Sequence, residues 1–357
     1  MMKKILAAVI CALLALSLSF PSSADYRSEA EEIIAHKTSA SGAKSTREWI
    51  SSLAETAGES AEWYVIALSK LGYSGFGEYA QALADYLSEK TVRGTNSQRC
   101  ALAFVASGVN SAYIESTARE SIGSQGIMSY IWGLLLLSCG AEGAQQAPAE
   151  LAREIAMLRK QDGGFALSGE SSNADVTAMA ITALAPYRDD ADVAAAIESS
   201  LTFLSSVQTA SGGFMSYGEE NCESAAQVVI ALCTLGIDPE SDTRFIKNGN
   251  SALDSVRSFS LGGGYAHTAG GAESEMATVQ ALHAFTAMHL LSGGGSLFAF
   301  DAPSGVPAGF LDVGAPRGDA ENESTLSIKN TVCIAVIAAC AVGIAVTACI
   351  PPKKTGE

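Results

Sequence analysis

The sequence predicts an all-α fold, an α6/α6 toroid in which six inner helices are ringed by six outer ones, followed by a single C-terminal transmembrane helix. Three observations predict it: a motif that recurs along the second half, an alternation of two kinds of helical segment, and a long uncharged run near the C-terminus.

The repeats decide the architecture, because each unit of a repeat protein buries its apolar face only against its neighbours. Three blocks are related. Gln161-Asp162-Gly163-Gly164-Phe165 precedes the run Asp175 to Leu184. Gln208 to Phe214, ending Gly212-Gly213-Phe214, precedes Glu223 to Leu232. Gly262-Gly263-Gly264-Tyr265 precedes Glu273 to Leu282. Gly164, Gly213 and Gly264 thus recur at intervals of 49 and 51 residues. Each block predicts a helix, a Gly-rich turn ending in an aromatic ring, a polar loop, and a second helix opening on an acid. The first half lacks the turn but keeps the helix ending: Leu68 to Gly72, Phe104 to Gly108 and Leu136 to Gly140 match Leu232 to Gly236. A glycine just past a helix accepts the left-handed backbone of a C-cap.

Two sets of helices follow. Segments near 59–71, 95–107, 127–139, 174–185, 222–235 and 273–290 are rich in Ala, Leu, Val and Ile around most of their circumference. Such helices are enclosed on all sides. Segments near 45–56, 77–90, 111–122, 147–160, 190–207 and 243–258 carry one apolar stripe and a charged face. Six of each is the arithmetic of the double ring; an open solenoid of helix pairs is the alternative.

The two ends predict export and anchoring. Lys3 and Lys4, the uncharged run Ile5 to Phe20, and Ser22-Ser23-Ala24 form a signal-peptide pattern over residues 1–24, with cleavage after Ala24. The toroid repeat domain is expected over 25–292. Residues 293–330, with Gly, Pro, Ser and acids but little periodicity, predict a flexible linker. Thr331 to Ile350 is uncharged and long enough to cross hydrocarbon, and Lys353 and Lys354 mark 351–357 as a cytoplasmic tail. A GPI signal ends in its apolar segment, which this one does not. The expected location is the cell surface of a bacterium, single-pass, with the domain facing outside.

The chain carries a net −16. Setting aside Lys3, Lys4, Lys353, Lys354 and Glu357 leaves 18 basic and 37 acidic side chains, a net −19 for the exported part. That balance repels nucleic acid and anionic lipid. Cys100, Cys139, Cys222 and Cys233 fit no zinc spacing; buried thiols are expected, with one disulfide as the alternative.

The second block resembles the QW-type repeat of squalene cyclases and protein prenyltransferase β subunits. Phe203-Leu204-x-x-x-Gln208-x-x-x-Gly212-x-Phe214 follows that pattern, with Phe in place of the usual Trp. The resemblance spans roughly residues 45–291, although the first block is two residues shorter and the third has no Gln. It implies structural roles for Gln161, Gly164, Phe165, Gln208, Gly213, Phe214, Gly264 and Tyr265. The catalytic signatures of those enzymes are missing. There is no Asp-x-Asp-Asp acid, no Asp-Asp-x-x-Asp metal motif, no Asp-x-Cys zinc pair and no Gly-Cys-Gly-Glu-Gln thioester. Asp189-Asp190-Ala191-Asp192 opens an outer helix, where acids serve the helix dipole. The same toroid is used without catalysis by cobalamin carriers, which implies a corrinoid-like ligand as one candidate, although those carriers add a β domain that this chain lacks.

Aligning the inner helices on their shared endings places Glu59, Asp175, Glu223 and Glu273 at one level, a ring of carboxylates around one mouth. Trp63, Arg99, Met179 and Gln227 fall one turn deeper, with Trp132 near them. Helix capping alone would account for the acids; a mouth for a polar or cationic guest is the sharper expectation. His267 lies on a Gly-rich loop, and His283 and His289 are six apart on different helix faces, so no metal site is expected. The expected function is a non-catalytic binding module for a small ligand or an extracytoplasmic protein partner. A cyclase- or prenyltransferase-like enzyme acting on an isoprenoid and a structural adhesion scaffold are the alternatives.

Overall fold

The structure, a computed structural model, describes residues 23–216 and 218–314. The expected signal peptide lies almost wholly outside these residues, as do the membrane span, the tail and the last part of the linker. Among the described residues no helix is long and apolar enough to cross a membrane.

The described chain is all-α apart from one two-residue hairpin. It contains 13 α-helices: α1 (Ser23–Ala40), α2 (Thr46–Ser52, continued by a 3-10 turn at Leu53–Thr56), α3 (Ala61–Lys70), α4 (Gly77–Glu89), α5 (Thr95–Ala106), α6 (Ala112–Glu120), α7 (Gly126–Ser138), α8 (Pro148–Met157), α9 (Ala174–Leu184), α10 (Ala191–Val207), α11 (Cys222–Thr234), α12 (Ala252–Ser258) and α13 (Glu275–Leu291). Strands β1 (Met215–Ser216) and β2 (Glu219–Glu220) pair antiparallel between α10 and α11.

Helices α3, α5, α7, α9, α11 and α13 pack in that order, each on the next, and α13 packs back on α3. Their sequences explain the arrangement. Every residue of α9 is buried, and α11 is buried from Cys222 to Cys233, so neither could face water on any side. Neighbours run parallel, which side-chain contacts at a near-constant offset establish. Cys222 Sγ meets Ala277 O, Gln227 meets Gln280, and Cys233 Sγ meets Met288 Sδ. The C-terminal ends of α3, α5, α7 and α11 also all meet the short segment that follows α13, through Lys70, Asn110, Cys139 and Thr234, so the N-termini of the inner helices share the opposite face. Amphipathic helices pack outside: α6 on α5, α8 on α7, α10 on α9 and α12 on α11.

The outer layer holds one helix more than the sequence predicts. Helix α1 packs on α13 and on α2, filling the outer position that follows the last inner helix. Its buried stripe is Tyr26, Ala30, Ile33 and Ile34, spaced for one helix face. Arg257 on α12 bonds Glu29 on α1 at 2.7 Å and Glu240 at 2.5 Å, and Tyr26 donates to Glu240 at 2.5 Å. The two ends of the helical array are thereby tied. The last outer helix is shorter than the expected 243–258. A tight turn at Asn248 and Gly249, both with positive φ, separates a 3-10 turn (Thr243–Phe245) from α12, which Ser251 and Asp254 start with a capping box.

The three repeat turns share one construction. The aromatic residue is buried and its carbonyl accepts from the residue that caps the next inner helix: Asn173 N to Phe165 O at 2.9 Å, Asn221 N to Phe214 O at 3.4 Å, and Ser274 N to Tyr265 O at 2.8 Å. Gly164, Gly213 and Gly264 leave no room for a side chain; a Cβ on Gly213 would stand 2.7 Å from Glu220 Oε2 and 2.8 Å from Ser255 Oγ. Gln208 donates to Gly212 O and Phe245 O, both at 2.9 Å. Gln161 does not play that part, contrary to the repeat alignment. It is exposed, and Asp162 holds the shorter turn instead, accepting from Gly164 N and from Ser172 N and Oγ.

The expected linker does not leave the domain at 293. Residues 297–313 cross the face formed by the C-terminal ends of the inner helices, as a strap. Leu297 and Phe298 are buried, Cys139 Sγ donates to Phe298 O, and Lys70 Nζ donates to Ala299 O. Asn110 N donates to Gly305 O at 3.0 Å, Phe310 packs edge-on against Phe104, and Asp312 accepts from Ser111 Oγ at 2.5 Å. Each fully buried large apolar side chain stabilises the strap by about 1.5–3 kcal/mol. Composition alone hides this, because the anchors follow no period.

Candidate functional site

The shared N-terminal face of the inner helices collects the sequence-predicted residues at two depths. Asp175 and Glu223 occupy the second helical position of neighbouring helices α9 and α11. Asp175 is buried and accepts at 2.9 Å from the amide of Val176. Burial holds its carboxyl above the ordinary range. Glu223 is fully buried and its Oε2 lies 2.7 Å from Nδ1 of His267. Its Oε1 is buried with no hydrogen-bond partner. Burial raises this carboxyl to about 7, against the opposing influence of His267. The His267 backbone is held in turn, its carbonyl accepting from Cys222 N at 3.0 Å.

Glu59 and Glu273 are not at this level. Both precede the N-caps of their helices, Ser60 and Ser274, and both are exposed. Glu273 lies 3.1 Å from His36. The ring of four becomes two buried and two peripheral acids: Glu59 falls outside because α3 spans 10 residues whereas α11 spans 13, and Glu273 because α13 starts two residues beyond it, at Glu275. Counting back from the shared C-terminal glycines overshoots the shorter helix by nearly one turn. The true counterpart on α3 is Glu62, which the sequence reading missed. It is fully buried, accepts from Gly58 N at 2.6 Å and Tyr79 OH at 3.0 Å, and pairs with Arg99 Nε at 3.3 Å. Counting from the N-cap would have found it.

The deeper layer is filled. Trp63 and Trp132 reach toward each other from α3 and α7, their ring centroids 5.2 Å apart. His283 stands 6.0 Å from Trp63, and Phe298 of the strap meets Trp132 at 5.7 Å and His283 at 6.3 Å. His283 Nε2 donates to Trp63 O at 2.7 Å, and burial lowers its pKa to about 4, so it is neutral. Arg99 lies over the Trp63 ring, Met179 is buried, and Gln227 donates to Gln280 at 2.5 Å. The alanines of the inner helices leave space that these large rings occupy. A corrinoid has no room within this axis, which the rings occupy, and the buried imidazole there, His283, already donates to backbone.

All four cysteines among the described residues are buried and free. Asp190 caps α10 and pairs with Arg153 at 2.7 Å, as its position at a helix start implied. The mouth can therefore supply two desolvated carboxylates and one imidazole to a guest, but no metal site: among the described residues no group of three His, Cys, Asp or Glu is placed to hold one. Neither the known protein-family models nor the curated proteins contain a match to this chain.

Proposed function

We propose that this protein is a membrane-anchored, extracytoplasmic α/α toroid of the QW-repeat kind that binds a cationic guest at the N-terminal mouth of its inner ring and carries out no chemistry on it. The carrying observation is the pair Asp175 and Glu223. Two carboxylates on adjacent helices are buried with fewer hydrogen bonds than their oxygens accept, and Glu223 Oε1 has none. Leaving a buried acceptor unpaired costs about 1–3 kcal/mol, which a bound ammonium or guanidinium would recover. His267 covers Glu223 and is the group such a cation would displace.

Two features favour binding over the enzyme alternative. The axis is occupied by aromatic rings in mutual contact, so an isoprenoid chain has no place to lie. The strap also covers the face formed by the C-terminal ends of the inner helices. The test is titration of the full chain in neutral detergent with polyamines and with corrinoids, reading the thermal midpoint. A saturable rise with polyamines, lost in Asp175→Asn/Glu223→Gln, is expected. No saturable rise with any cation, or an equal rise in the double variant, would refute the reading.

A further inference from the structure

We propose that the acidic mouth and the apolar residues around it form one docking face for a partner protein, which presents a segment combining lysine or arginine with large aliphatic side chains. This rests on the mouth reading above and adds the chemistry of the partner.

The apolar component is specific in its placement. Met157, Leu158, Val207, Met215 and Leu261 are 39–77% exposed. Single exposed apolar residues are ordinary, but these five fall at one structural level. Met157 and Leu158 end α8, Val207 ends α10, Leu261 follows α12, and Met215 begins the hairpin after the second repeat turn. Every one belongs to a connection that feeds an inner helix. Because the inner helices are parallel, those connections share one face. The other exposed large apolar side chains among the described residues, Val306 and Leu311, are on the strap at the opposite face.

Charge selects the partner. Glu273 and Glu275 already face His36 and Lys37 of α1, and segments 157–173 and 207–221 carry in addition Asp162, Glu170, Glu219 and Glu220 against Arg159 and Lys160. Of those two cations, Lys160 is already 3.6 Å from Glu170 and Arg159 donates to Ser199 and to Ala195 O. A basic segment is attracted to this face and an acidic one is rejected. At the centre, the bare Oε1 of Glu223 offers a counter-charge to one lysine or arginine head, while flanking aliphatic side chains meet the apolar rim.

The test uses the full chain in neutral detergent and three fluorescent ten-residue peptides, alternating Leu-Lys, Leu-Glu and Ser-Lys, read by anisotropy. Leu-Lys should bind saturably, about tenfold or more tighter than either control. The surface variant Met157→Ser/Val207→Ser/Leu261→Ser should weaken Leu-Lys about tenfold, and Val306→Ser/Leu311→Ser should leave it unchanged. Equal binding of Leu-Lys and Leu-Glu, no binding of Leu-Lys, or equal loss in the two serine variants would overturn the proposal. Asp175→Asn/Glu223→Gln separates the two readings. If it leaves Leu-Lys binding intact, the peptide does not engage Glu223 and the joint docking face fails, whereas loss of polyamine binding in that same variant leaves the cation mouth standing. If polyamine binding persists in the rim variant but Leu-Lys ignores the rim, the mouth stands and docking fails.

Discussion

Glu223 and His283 tie stability to pH in opposite senses. Glu223 titrates at about 4.5 unfolded and about 7 folded. The folded state keeps its proton between those values, so this contribution is complete below pH 4.5 and is lost as pH rises through 7. His283 titrates at 6.5 unfolded and about 4 folded. Its contribution is present above pH 6.5 and is lost as pH falls through 4. Each shift corresponds to about 3 kcal/mol, and the windows overlap, so between pH 4.5 and 6.5 the two slopes largely cancel. Glu223→Gln should unmask His283. The variant's thermal midpoint should then climb more steeply between pH 4.5 and 6.5 than that of the parent, in which Glu223 opposes the rise. Parallel profiles would show that Glu223 is ionised in the folded protein. A second contrast lies in the turns. Gly212 and Gly262 have φ of +85° and +82°, but a Cβ on Gly212 would stand 2.2 Å from Ser251 O, whereas Gly262 has open space around it. Ala at Gly262 should cost about 1–2 kcal/mol for the left-handed backbone. Ala at Gly212 should cost several kcal/mol more, because a backbone carbonyl must move. Equal losses in chemical denaturation would contradict the packing described for the second turn.

Among the elements, the inner helices were the most legible in the sequence and the strap the least. Continuous apolar composition and a capping glycine are local signals, so Leu232 to Gly236 and its three counterparts locate helix ends without reference to the rest of the chain. Depth within the mouth is not local. It depended on the length of α3, which is why Glu59 was placed where Glu62 stands. His267 gave no signal at all, since its loop carries no period and its partner is 44 residues away. Helix α1 does carry a legible stripe, but it adjoins the expected signal sequence and lies outside the repeats. The strap depends on isolated anchors, Leu297, Phe298, Phe310 and Val313, whose spacing matches neither helix nor strand. Phe298 is the one that meets the axial rings, and Phe298→Ala should destabilise the protein by about 3–5 kcal/mol and shift the emission of Trp63 and Trp132 to the red as water enters. Leu311→Ala, on an exposed strap residue, should change stability by less than about 0.5 kcal/mol. Similar small effects for both would mean that the strap is not held by its buried ring.

At the scale of the whole molecule, closure of the ring separates this fold from an open stack of helix pairs. In an open stack each repeat depends only on its neighbours, and ends fray independently. Here α13 contacts both α3 and α1, so the first and last helices share a seam. Arg257 is central to it, bonding Glu29 and Glu240, with Tyr26 joining the same carboxylate. His36 and Lys37 of α1 continue the seam to Glu273 and Glu275, and Tyr64 of α3 donates to Glu275 at 2.7 Å. Loosening one side of this seam should therefore be felt on the other. Arg257→Ala leaves two partly buried carboxylates without their cation, and hydrogen bonds to charged groups contribute about 1.5–3 kcal/mol each. Amide exchange should accelerate in α1 and α12, where the bonds are lost, and to a similar degree in α13 and α3, which Arg257 does not touch. Helix α7, across the ring, should be affected least. If exchange rises in α1 alone, the N-terminal helix is an appendage and the six inner helices close without it. If it rises in α13 and α3 together with α1, the terminal helix is the clasp that makes the ring a single cooperative unit.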